Sequence, residues 1–76
     1  MTHPIKITSE KDISHISKVC AQSGENVVIT YKNITIDPRS VLGLFAIIGK
    51  MATLVGPDHM DPAKFVKLVK QLGITV

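Results

Sequence analysis

The chain predicts an α/β open-faced sandwich, with helices packed on one side of an antiparallel or mostly antiparallel sheet, in the order strand, helix, strand, strand, helix, strand, helix. Three observations predict it. Short β-branched runs alternate with runs of helical periodicity. The β-rich runs place apolar residues at every second position, which suits a sheet with one covered and one wet face. The 76 residues, 45% hydrophobic and 20% charged, suit one folded domain over residues 1–76 rather than a disordered tail.

The elements follow in order. Ile5-Lys6-Ile7-Thr8 alternates and reads as a strand. Ser9 then caps a helix, with Asp12 three residues on as a variant of the capping box. Ile13, Ile16, Val19 and Cys20 share one face of that helix, and Gly24 ends it. Val27 to Tyr31 and Ile34 to Ile36 read as a hairpin across Lys32-Asn33. Met51 to Val55 makes a fourth strand, broken by Gly56-Pro57-Asp58. In the last helix Asp61 caps, Pro62 opens, Phe65, Leu68, Val69 and Leu72 repeat at helical spacing, and Gly73 closes. Ile5, Ile7, Ile29, Tyr31, Ile34, Ile36, Ala52 and Leu54 then face inward, leaving Lys6, Thr8, Thr30, Thr35 and Thr53 outward.

Between the hairpin and the fourth strand lies the most informative segment. Asp37 is expected as N-cap, Pro38 as the first helical residue and Ser40 as the third, followed by a nearly continuous apolar run to Ile47 and a stop at Gly49. A helix apolar on every side must be wholly buried or must present an exposed apolar face. A domain of this size buries only about 60% of its unfolded surface, so the helix reads as half core and half docking surface. Ser40 reads either as a second cap or as a hydroxyl that accepts a phosphoryl group where free amides and the helix dipole favour an anion.

Composition excludes several function classes. The net charge of +3 comes from nine basic and six acidic residues scattered along the chain, which argues against a nucleic-acid footprint. No stretch approaches membrane-spanning length and the N-terminus has no apolar targeting core, so a cytoplasmic protein without membrane contact is expected. Cys20 is the one cysteine, sits on the expected core face and has no histidine partner, which reads as an inert buried thiol in a reducing compartment. Asp58-His59-Met60-Asp61 is incomplete as a metal site, and no glycine loop for phosphate appears, so neither metal nor cofactor is implied. Lys64, Lys67 and Lys70 read as a solvated stripe of the last helix.

The element order, the chain length and above all Ser40-Val41-Leu42-Gly43-Leu44-Phe45-Ala46-Ile47 resemble HPr, the histidine-containing phosphocarrier protein of the bacterial sugar phosphotransferase system. The resemblance implies the HPr-like form of this α+β sandwich, a four-stranded antiparallel sheet with three helices on one face. It implies that Ser40 is a regulatory serine phosphorylated by an ATP-dependent kinase. It implies that Val41, Leu42 and Phe45, with Arg39 beside them, face partner proteins of the phosphotransferase system, while Leu44, Ile47 and Ile48 fill the core. HPr carries its phosphoryl group on a histidine at the start of its first helix, followed closely by Arg and Pro. The corresponding stretch here is Thr8-Ser9-Glu10-Lys11-Asp12-Ile13, where Glu10 and Asp12 would repel a phosphoryl group.

His15 is the remaining candidate for phosphotransfer, but Ser9 as cap places it in the middle of the helix, off the apolar face, as a solvated side chain. The resulting reading is a regulatory or protein-binding module rather than a catalyst. A phosphocarrier using His15 and a small RNA-binding α/β domain are the alternatives. The latter lacks sheet aromatics for base stacking beyond Tyr31. Self-association through Val41, Leu42 and Phe45 would leave the same pattern in the sequence.

Overall fold

The computed structural model describes residues 1–73. Residues 74–76, included in the expected 1–76 domain, lie outside the described part. The elements are β1 (Thr2–Lys6), α1 (Glu10–Ser23), β2 (Val28–Tyr31), β3 (Ile34–Ile36), α2 (Val41–Phe45), β4 (Met51–Val55) and α3 (Pro62–Leu72). The four strands form one sheet in the order β1-β4-β2-β3, every neighbouring pair antiparallel. This is the predicted α+β architecture, with β4 drawn between β1 and β2 by the long connections through the helices.

Register sorts the side chains. On the open face Pro4 pairs with Thr53, Thr53 with Thr30 and Thr30 with Thr35, so three threonines and a proline cross the whole sheet in one row. On the covered face Ile5, Ile29, Ile36, Ala52 and Leu54 meet Ile13, Ile16 and Cys20 of α1, Leu44 and Ile47 from the α2 segment, and Phe65, Leu68 and Leu72 of α3. Val19, Tyr31 and Val69 pack against this core while partly exposed.

The first strand begins earlier than the Ile5-to-Thr8 expectation, because pairing with β4 runs from Thr2 opposite Val55 to Lys6 opposite Met51. The Gly56 amide donates to the Met1 carbonyl at 2.8 Å, which fixes odd-numbered residues of β1 as those bonded toward β4. Pro4 therefore turns its hydrogen-less nitrogen to the open edge, where its missing donor costs no ladder bond and blunts the edge against a further strand. Ile34 departs from the inward set. At 51% exposure it sits beyond the helix layer at the turn end of the three-residue edge strand β3.

Helix ends follow their residues. Ser9 is the N-cap of α1 by backbone conformation, but its side chain makes no capping bond. The Asp12 carboxylate instead reaches past it to accept from the Thr8 amide at 3.0 Å and the Thr8 hydroxyl at 2.9 Å. Asp61 caps α3 through its carboxylate, which accepts from the Ala63 amide at 2.9 Å, and Pro62 opens the helix as predicted. Gly24 and Gly73 end α1 and α3 in the left-handed region, at φ 71° and 66°.

Candidate functional site

The segment around α2 is built differently from its sequence expectation, and the difference decides what it exposes. Ser40 has an extended backbone, φ −91° and ψ 111°, so the helix starts after it and Ser40 itself is the N-cap. Its hydroxyl oxygen accepts from the Gly43 amide at 3.2 Å. Asp37 is not the cap. It closes a turn, with the Ser40 amide donating to the Asp37 carbonyl at 2.9 Å and the Pro38 ring buried within it.

The Asp37 carboxylate accepts from the Arg39 amide at 2.9 Å and from the Arg39 guanidinium at 3.1 and 3.2 Å. Those bonds, the side-chain ones first, hold the Asp37 carboxyl below the usual carboxylate range. The same pair fixes Arg39 at the head of α2, and the Arg39 carbonyl accepts from the Ser17 hydroxyl at 3.0 Å, tying this turn to the middle of α1.

The α-helical part of the segment is only five residues long, Val41–Phe45. Beyond it the chain tightens to bonds three residues apart, Ala46 to Gly43, Ile47 to Leu44 and Ile48 to Phe45, at 3.2, 3.2 and 3.4 Å. Three-residue winding stacks each side chain over the one three positions earlier. Leu44 and Ile47 thus form one stripe, both fully buried. Phe45 and Ile48 form another on the solvent side. Ile48, expected in the core, is consequently exposed by 36%.

Val41, Leu42 and Phe45 are exposed by 43%, 85% and 42%. Leu42 has almost no contact with the rest of the fold. Together with Ile48 these side chains leave one apolar surface at α2, bordered at its start by the Ser40 hydroxyl and the Arg39–Asp37 pair. Gly43 is what lets the helix lie so close to the sheet, since a Cβ there would stand 2.9 Å from the Cγ2 of buried Ile36.

The start of α1 carries no histidine. Thr8, Ser9, Glu10, Lys11 and Asp12 occupy it, with the Asp12 carboxylate already committed to Thr8. His15 lies in the middle of α1, as expected, but it is more than a solvated side chain. Its Nε2 donates to the Gln71 carbonyl in the last turn of α3, at 2.7 Å. A carbonyl oxygen only accepts, so the hydrogen of a neutral ring sits on Nε2 and leaves Nδ1 as an acceptor. This contact joins residues 56 positions apart, and nothing local in the sequence signals it.

The other candidates take their places around the core. Cys20 is buried, and burial first and the Asp37 carboxylate second push its thiol up to about 11. Met60 of the Asp58-to-Asp61 loop is buried and Asp61 is occupied as a cap. Among the described residues no group of three or more His, Cys, Asp or Glu is placed to hold a metal ion, and no helix is long and apolar enough to cross a membrane.

No protein-family model matches the chain. No curated protein matches it in sequence. Among solved structures, a crystal structure of HPr-C-His from Thermoanaerobacter tengcongensis matches with a TM-score of 0.69, over 100% of this chain and 97% of that chain, at 13% sequence identity. Sequence identity that low speaks for the fold alone: the four-stranded antiparallel sheet and three helices of this chain have the fold of HPr.

Proposed function

We propose that this chain is a regulatory, protein-binding module of the HPr type, which docks phosphotransferase-system proteins through the α2 surface and is switched by phosphorylation of Ser40. The observation that carries the reading is the exposure of Val41, Leu42, Phe45 and Ile48 as one apolar surface beside the Ser40 hydroxyl, on the fold of HPr. A mostly apolar patch rimmed by a few polar groups is the usual form of a protein-binding surface.

Phosphorylation at this position has a defined chemistry. The Ser40 Oγ would take the γ-phosphoryl group of ATP, losing its proton as ADP leaves. The product adds close to two negative charges at the first turn of α2, next to the Gly43 amide and directly before Val41 and Leu42. A partner that buries the apolar face of the free protein would meet that charge, and one carrying a matching cation would be selected by it.

The carrier reading through His15 is weaker on geometry. Its Nε2 is occupied by Gln71, and its mid-helix position is remote from the free amides of a helix start. The RNA-binding reading lacks a stacking platform, since the open-face row that crosses the whole sheet, through Thr53, Thr30 and Thr35, carries no aromatic side chain.

The test is intact mass after two separate incubations, one with Enzyme I and phosphoenolpyruvate, one with HPr kinase and ATP. An acid-stable phosphoryl adduct formed only in the second, and lost in Ser40→Ala, is the expected result. An acid-labile adduct in the first, lost in His15→Ala, would replace this reading with a working carrier.

A further inference from the structure

Two features of the sequence that the α2 surface does not use, His15 and the Lys64–Lys67 part of the lysine stripe of α3, meet in one cleft. It lies between α1 and α3, has a volume of about 500 Å³, and is lined by His15, Val19, Gln22, Lys64, Lys67 and Leu68, among others. The volume falls within the range of about 300–1,000 Å³ usual for small-ligand sites. On each helix the lining residues fall at helical spacing, so two facing stripes form the walls.

The floor is apolar, from half-buried Val19 and buried Leu68. The His15 bond to the Gln71 carbonyl ties the two walls together at one end, and Glu25 lies past the last turn of α1 at the other. Among the described residues the one ion pair is Arg39 with Asp37. Lys64, Lys67 and Glu25 therefore line the cleft with no ionic partner among the described residues. Two ammonium groups stand against a single carboxylate, so the cleft favours an anion. The Gln22 and Gln71 amides, the Glu25 carboxylate and the Nδ1 of His15 add hydrogen-bonding groups that suit hydroxyls.

We infer that the α1–α3 cleft binds a small phosphorylated polyol, with the phosphate on Lys64 and Lys67, the carbon chain over Val19 and Leu68, and the hydroxyls on Gln22 and His15. None of the exposed residues of α2 lines this cleft, so the inference stands apart from the docking surface.

The test is an amide NMR titration of the full chain with glycerol 3-phosphate, with inorganic phosphate, and with sodium chloride at matched ionic strength. The expected result is saturable shifts at Val19, Gln22, Lys64, Lys67 and Gln71 with glycerol 3-phosphate, at least about tenfold tighter than inorganic phosphate, as one or two added hydrogen bonds allow. The double variant Lys64→Gln, Lys67→Gln alters only exposed side chains and should raise the dissociation constant at least about tenfold while the fold is kept. Shifts reproduced by sodium chloride, equal affinity for inorganic phosphate, or unchanged affinity in the folded double variant would each overturn the inference.

Discussion

The His15 imidazole and the Gln71 carbonyl, 2.7 Å apart, join the middle of α1 to the last turn of α3. The contact makes His15 a structural group. His15→Ala should lower unfolding stability by about 0.5–1.5 kcal/mol, the usual net worth of one hydrogen bond, read by urea denaturation with an unchanged slope. Unchanged stability would mean that the bond contributes nothing in water.

Asp12 gives the start of α1 a pH dependence. The Thr8 amide bond first and the Thr8 hydroxyl bond second hold its carboxyl below the ordinary value of 3.8. A carboxylate whose folded pKa is depressed contributes stability that is fully present above the unfolded pKa and is lost as pH falls through the folded value. Asp12→Asn should therefore be less stable than the parent at neutral pH, with the difference shrinking as pH falls below that ordinary value toward about 2. Thermal melts across this range would show it; a difference independent of pH would contradict the assignment.

Gly43 is required by a close approach, not by its backbone angles. An added Cβ would meet the Ile36 Cγ2 at 2.9 Å, and Ile36 is buried and β-branched, so it has little room to turn away. Gly43→Ala gains about 1 kcal/mol of helix propensity and meets an overpacking cost of about 1–3 kcal/mol. Net destabilisation by roughly 1 kcal/mol is expected in calorimetry. A stabilised variant would show that α2 shifts freely over β3.

Most of the fold was legible because local signals agree with each other. Asp61-Pro62 and Gly73 mark both ends of α3, and Met51 to Val55 is framed by glycines. The errors cluster where two residues compete for one role. Asp37 and Ser40 both suit an N-cap, and the sequence favours Asp37 because Pro38 follows it; the Arg39 guanidinium takes the Asp37 carboxylate, and Ser40 becomes the cap. Ile48, which the resemblance to HPr places in the core, turns to solvent because the winding tightens past Phe45. The half-buried character of α2 followed from its composition. The His15–Gln71 bond and the α1–α3 cleft depend on how the two helices pack, which no local pattern encodes.

The measurement closest to the central claim is the affinity of Leu42→Glu for Enzyme I and for HPr kinase, by calorimetry. Leu42 is 85% exposed, so the substitution should leave folding stability within about 0.5 kcal/mol. The parent should bind at least one of the two proteins, and Leu42→Glu should weaken this binding by at least about tenfold, as expected when a charge replaces an apolar anchor at the centre of an interface. Parent-like affinity of the folded Leu42→Glu variant for both proteins would contradict docking through α2.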